Sequence, residues 1–265
     1  MNYNTFTPQW SQMLQEAVSR PGLLLAAYSA FHGYSIGNQL MAMVQCQQRG
    51  IDPGPLSTFP GWIEKGRCVR KGERAIVLCM PLTFKNKERQ SEGDPSHFLG
   101  FAYKPRWFVL SQTEGEAVEP PTIEAWEYPR ALAALSITEQ PFTLLEGNVQ
   151  GYARGREIAI SPLAQLPHKT RFHELAHIML GHTEEADFND TEQTPRTLRE
   201  VEAECVALIC CETLGVDGAD YCRGYVQSWN RTGEPIPEQS AQKIFRAADR
   251  ILRAGRPAKE VETEH

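Results

Sequence analysis

His173-Glu174-Leu175-Ala176-His177 is an H-E-x-x-H sequence, and it constrains the fold of this 265-residue chain more than any other feature. On a helix, imidazoles four residues apart project from one face and can share one divalent cation, with Glu174 beside them within reach of a bound water. The flanking residues supply such a helix, expected from about residue 170 to 180: Leu175, Ala176, Ile178 and Met179 form an apolar face, Thr170 is placed to cap its start and Gly181 to end it. At this His and Glu content a chance match arises roughly 0.02 times per chain. The implied cofactor is one Zn²⁺, another divalent ion being possible. Such an ion acidifies its water and polarises a carbonyl, while Glu174 takes the proton as the catalytic base.

Two imidazoles, His173 and His177, leave a metal site incomplete. A metzincin would have Gly at 180 and His at 183; Leu180 and Thr183 exclude that arrangement. A helix expected from about 197 to 214 carries Glu200, Glu202 and Glu204, of which Glu200 and Glu204 share a face and Glu202 does not. In glutamate-type zincins the ligand Glu is followed four residues later by a group that hydrogen-bonds a liganding His. That spacing selects Glu200 as third ligand and Glu204 as its supporting partner. Glu202 and Glu204 stay open as alternative ligands. His182 is expected to cap the helix end or face solvent, and Tyr221 and Tyr225 are candidate oxyanion donors. Arg156 to Ser161 reads as an edge strand able to bind an extended peptide by strand addition.

Length favours two domains, and 41% hydrophobic with 23% charged residues excludes wholesale disorder. The longest apolar runs, around Leu23 to Tyr28 and Val206 to Cys211, are too short for a membrane span, so no membrane partner is expected. No secretory signal is readable at the start, so the expected compartment is the cytoplasm. Seven cysteines without a C-x-x-C pair read as small buried hydrophobes. The net charge of -6 hides an asymmetry: residues 1–113 hold 12 Lys and Arg against 7 Asp and Glu, residues 114–265 hold 15 against 26. A polyanionic partner would therefore bind the first half.

Along that half, Thr7 and Pro8 open a helix with Trp10, Met13, Leu14, Ala17 and Val18 on one face, closed by Pro21-Gly22. A second helix runs from Ser35 to Arg49, and residues 75–80 and 107–110 read as buried strands around a polar loop from Lys85 to His97. The sign of the charge changes across the acidic, proline-bearing stretch 111–124. This places the first domain at 1–113, a linker and start of the second domain at 114–145, and the second domain at 146–265. Further helices are expected to end near Leu214 and to run from Pro237 to Arg253.

Lys65, Arg67, Arg70, Lys71 and Arg74 put five positive charges into ten residues, with Gly66 and Gly72 permitting close approach to phosphate. Phe59 and Trp62 precede them as possible stacking surfaces, and Asn38 and Gln39 can bond phosphate or base edges. From the residues alone, core aromatics beside a solvated turn fit better.

Four ordered segments, Tyr34 to Leu40, Ser57 to Trp62, Gly66 to Glu73 and Trp107 to Thr113, resemble the N-terminal domain of ArdC-type antirestriction proteins. His-Glu-Leu-Ala-His with Glu200 to Glu204 resembles the ImmA/IrrE-like zincins. That pattern commonly has an acidic pair followed by Leu-Val-Ala-Glu, whereas this chain has Arg199 and Glu202. The resemblance implies an α+β chain of two domains: a small α/β domain binding single-stranded DNA, then a mainly helical zincin-like metallopeptidase domain with a small sheet. It implies single-stranded DNA and an unidentified protein substrate as partners. It also implies Tyr34, Asn38, Gln39, Thr58, Phe59, Trp62, Lys65, Arg67, Arg70 and Lys71 as DNA-contacting residues. The alternatives are a DNA-coating protein with a structural metal, or a peptidase that cleaves a repressor.

Overall fold

The computed structural model describes residues 9–85, 97–119, 122–144, 149–183, 195–231 and 235–257. The chain forms two compact units, one of residues 1–8 and 30–121, the other of residues 9–29 and 122–265. Residues 9–29 therefore pack with the second half of the chain, not with the first domain that contiguity along the sequence suggests.

In the first unit, α3 (Ile36–Arg49) ends at Gly50, whose φ of 63° closes the helix in the left-handed region. A three-stranded antiparallel sheet follows in the order β1 (Leu56–Thr58), β4 (His97–Val109), β3 (Ile76–Lys85). Short helix α4 (Phe59–Glu64) leaves β1 directly, capped by the Thr58 hydroxyl, which accepts from the Gly61 N–H at 3.3 Å. A two-stranded ribbon pairs β2 (Arg67–Val69) with β5 (Thr113–Gly115). The polar loop expected between Lys85 and His97 lies, but for its ends, outside the described residues, and so does the Thr7 cap.

α3 covers the open edge of β3 with two amides. Asn38 exchanges two hydrogen bonds of 2.9 Å with the Cys79 backbone, and Gln45 does the same with Val77. Edge N–H and C=O groups that would otherwise be unpaired are satisfied without a further strand.

In the second unit, α1 (Trp10–Ser19) and α2 (Leu23–Phe31, its last two residues excepted) join α5 (Tyr128–Leu135), α6 (Pro167–Met179), α7 (Arg196–Leu214), α8 (Ala219–Asn230) and α9 (Glu238–Ala254). A small sheet has the order β6 (Thr138–Glu139), β8 (Glu157–Ile160), β7 (Gly151–Arg154). β8 is thus the central strand, not the edge expected of residues 156–161, because β6 and β7 flank it on both sides. Segment 114–145 supplies β5, α5 and β6 and is built into the fold.

Residues 201–213 of α7 are buried without a break, making it the axis of this unit. A helix buried all round cannot carry an unpaired acid, so Glu202, Glu204 and Glu212 each need a partner. Glu212 has Arg223 and the Leu24 N–H, the latter at 3.0 Å, while Arg223 also donates to the carbonyls of Ala17 and Val18 at the end of α1. α6 starts at Pro167, whose fixed φ suits a first turn. Thr170 is not its cap: one turn inside the helix, its hydroxyl donates to the Leu166 carbonyl.

Candidate metal centre

α6 and α7 bring three candidate ligands together. The Nε2 atoms of His173 and His177 lie 3.1 Å apart, with Glu200 Oε2 3.5 Å from the first and 3.8 Å from the second. One ligand atom from each of the three falls within 4.8 Å of the others. Two imidazole nitrogens and a carboxylate oxygen, contributed by two helices, are a donor set that suits a divalent ion of the zinc or manganese kind.

Two further acids of α7 stand behind the imidazoles. Glu204 accepts from His173 Nδ1 at 2.7 Å and from Lys169 Nζ at 3.0 Å. Glu202 faces away from Glu200, as its helical position requires, and meets His182 Nε2 at 3.0 Å; His182 Nδ1 in turn lies 3.0 Å from His177 Nδ1. His182 caps the end of α6 through its backbone N–H, which donates to the His177 carbonyl at 2.8 Å, but its side chain, 7% exposed, does not face solvent.

The electrostatics follow this layout. Burial works against a charge on His173, but hydrogen bonds to Glu200 and Glu204 outweigh it and lift the imidazole to about 9. Burial and the charge of His173 push His177 down to about 4. Burial lifts the Glu174 carboxyl to about 7, with the Glu200 charge adding to it and His173 opposing. The hydrogen bond from His173 holds Glu200 below the usual carboxylate range. Gly151 of β7 lies against Glu174: a Cβ there would be 3.2 Å from Glu174 Cγ and 2.7 Å from Thr170 Cγ2.

Tyr221 and Tyr225 are exposed one turn apart on α8, with the Lys169 ammonium 4.9 Å from the Tyr221 ring centre. Tyr225 is raised above its ordinary value by burial and then by the charges of Glu200 and Glu204.

In the first unit the residues read as DNA-contacting divide into two groups. Phe59, Lys65, Arg70 and Lys71 are exposed, although Arg70 is also paired within the fold. The others are engaged in the fold. Trp62 is 1% exposed and donates its indole N–H to the Phe108 carbonyl at 2.8 Å, so its ring has no free face for a base. Gln39 is buried and donates to the Tyr34 carbonyl, and Asn38 seals β3. The Tyr34 hydroxyl donates to the Leu56 carbonyl at 2.9 Å, and burial lifts its pKa to about 12. Arg67 donates to the Thr113 hydroxyl and to the Thr113 and Glu116 carbonyls. Arg70 donates to Glu73 and to the Ser111 carbonyl. Cys68 is exposed, contrary to the reading of every cysteine as buried, because β2 belongs to a two-stranded ribbon.

Residues 3–117 match the family model described as the N-terminal domain of anti-restriction factor ArdC. The chain carries an ArdC-type N-terminal domain. Two solved structures of the antirestriction ArdC protein from the R388 plasmid are similar over nearly the whole chain. The metal-free form has 18% identity, covers 94% of this chain and 96% of that one, and gives a TM-score of 0.53. The Mn(II)-bound form has 18% identity, covers 94% and 98%, and gives 0.54. At this identity the likeness establishes the fold: the mixed helix-and-sheet, two-domain ArdC architecture. No curated protein sequence matches the chain. Among the described residues, no helix is long and apolar enough to cross a membrane.

Proposed function

We propose that this ArdC-type chain is an antirestriction protein that binds single-stranded DNA through its basic first unit and hydrolyses a protein substrate at a divalent-metal site in its second. The observation that carries the hydrolase part is the convergence of His173, His177 and Glu200 beside a buried Glu174 whose carboxyl is lifted to about 7. His173 Nε2, His177 Nε2 and a Glu200 oxygen would hold the ion. When bound, a divalent cation supplies Lewis-acid polarisation of a carbonyl and acidification of a water, and Zn²⁺ is the ion the donor set favours. Glu174, whose carboxyl burial lifts towards neutrality, is suited to accept a proton on its carboxylate and give it up again. Tyr225 and Tyr221 offer hydroxyl donors at the exposed side of the cluster. β7, the outer strand next to Glu174, is the edge along which an extended peptide would align.

Support for the DNA part comes from the ArdC-type match, from the excess of basic residues before position 114, and from the exposed trio Phe59, Lys65 and Lys71. One ring for stacking and two ammonium groups for phosphate are the elements of a sequence-tolerant single-strand surface.

The test uses full-length protein. Metal analysis and single-strand gel shifts are run on wild type, His173→Ala and Lys65→Glu with Lys71→Glu, over a salt series. Loss of the metal in the first variant, and a shallower salt dependence in the second, are expected. An affinity for oligonucleotide that does not fall as salt rises would overturn the DNA part.

A further inference from the structure

We propose that His182 and Glu202 are positioning residues: a two-member relay that fixes the ring orientation and tautomer of His177 so that its Nε2 lone pair faces His173 and Glu200. This rests on the metal-site reading above and names residues that the H-E-x-x-H pattern does not include.

The relay begins with the backbone. α6 ends with Gly181 at φ 77°, with the Gly181 N–H donating to the Ile178 carbonyl at 3.2 Å and the His182 N–H to the His177 carbonyl at 2.8 Å. This paired pattern folds the chain back over its last turn. It lays the His182 ring beside His177, centroids 5.2 Å apart. Beyond it stands Glu202, 2% exposed, held by His182 and by the hydroxyl of Ser240 on α9.

The direction of the hydrogen bonds follows from what each atom can do. A carboxylate accepts, so the nitrogen facing Glu202, His182 Nε2, carries a hydrogen. The other nitrogen of a neutral His182 ring is then an acceptor, and it takes the Nδ1–H of His177. With its hydrogen on Nδ1, His177 presents a lone pair at Nε2. On His173 the Nδ1–H donates directly to Glu204, which leaves Nε2 as the nitrogen that faces His177 and Glu200. Both candidate ligand imidazoles are thus set by buried carboxylates of α7, one in direct contact and one through an intervening ring. Carboxylates behind liganding imidazoles tune metal sites in this way.

The experiment compares wild type with His182→Ala, Glu202→Leu, the double variant and Glu202→Gln, which keeps an acceptor oxygen. Zn²⁺ and Mn²⁺ affinities are measured by chelator competition, and histidine tautomers by ¹H–¹⁵N correlation spectra of chelator-stripped protein. We expect His182→Ala and Glu202→Leu each to lose about 10- to 100-fold in affinity, the double variant to lose no more than the worse single one, and Glu202→Gln to recover most of the loss. The stripped wild-type spectrum should show His177 with hydrogen on Nδ1, and His182→Ala should lose that preference. Unchanged affinity in folded single variants, or a wild-type His177 with hydrogen on Nε2, overturns the relay. Wild type that binds neither ion overturns the metal reading instead, and the spectra then decide the relay by themselves.

Discussion

Phe59 and Trp62 sit three residues apart in α4 and have opposite environments. Phe59 is 51% exposed, whereas Trp62 fills the core of the first unit. Phe59→Ala should therefore weaken oligonucleotide binding by about 1 to 3 kcal/mol with the melting temperature unchanged. Trp62→Ala should lower stability by about 3 to 5 kcal/mol. Gel shifts and thermal melts on both variants separate the two roles. At the other site Glu174→Gln keeps the shape and removes the proton acceptor, so metal content should stay at wild-type level while peptide hydrolysis falls by about 10² to 10⁴. Equal hydrolysis by wild type and variant would remove Glu174 from the chemistry. His173 and His177 were legible as a pair because helical periodicity puts residues four apart on one face, whereas Glu200 was chosen by the zincin spacing, with Glu202 and Glu204 left open. His182 and Glu202 were not: their meeting depends on the turn at Gly181 and on the register of α6 against α7, neither of which a motif encodes. In the first unit the segments that carry the family resemblance are mostly mutual supports, as Tyr34 on Leu56, Trp62 on Phe108 and Arg67 on Thr113 illustrate. A basic or aromatic residue in a motif therefore marked framework as often as surface.

The longest helices were readable, whereas most short strands, the full length of β4 and helix α8 were not. α3, α6, α7 and α9 show apolar spacing over three or more turns, whereas β1, β2, β5 and β7 have only three or four residues each, too few for alternation to register. Placing β8 at an edge failed for a related reason, since its partner β6 arrives from almost twenty residues earlier. Two predictions belong to contacts between elements. Gly151→Ala puts a methyl group from β7 against Thr170 and Glu174 of α6, and overpacking of this kind costs about 1 to 3 kcal/mol. We expect a lower unfolding midpoint in urea together with reduced hydrolysis; an unchanged midpoint would mean that the sheet and helix can part freely. The second concerns Glu238, whose oxygens accept from the Trp10 and Ser11 N–H groups at 2.7 and 2.9 Å and so close the start of α1 from α9. Burial opposes the charge, but these backbone hydrogen bonds outweigh it and hold the carboxyl below its ordinary 4.5. A depressed carboxyl contributes stability above its unfolded value and loses it as pH falls through the folded one. The stability gap between wild type and Glu238→Gln should be full above pH 4.5 and should close at lower pH, as read by denaturant melts across the acid range.

At the scale of the molecule, the division of the chain matters more than its length. Cutting where the charge changes sign would leave residues 114–265 without α1 and α2. The consequences are physical: Met13, Leu14, Ala17 and Val18 are buried in α1, Arg223 would lose two carbonyl acceptors, Glu212 the Leu24 N–H, and Glu238 the Trp10 and Ser11 N–H groups. Arg223 and Glu212 would keep each other, yet a buried ion pair stripped of its remaining hydrogen bonds is costly, and its exposure would open the end of α7 and α8 to water. The region from α6 to α7 that carries His173, His177 and Glu200 would then rest on a weakened scaffold. We expect a 114–265 fragment to lack a cooperative thermal transition or to melt well below the full chain, and to bind Zn²⁺ more weakly. Adding a synthetic peptide of residues 9–29 should restore part of the transition, since the missing contacts are ones it can remake in trans. A fragment that melts and binds metal like the full chain would show instead that the first two helices are an accessory to the second unit.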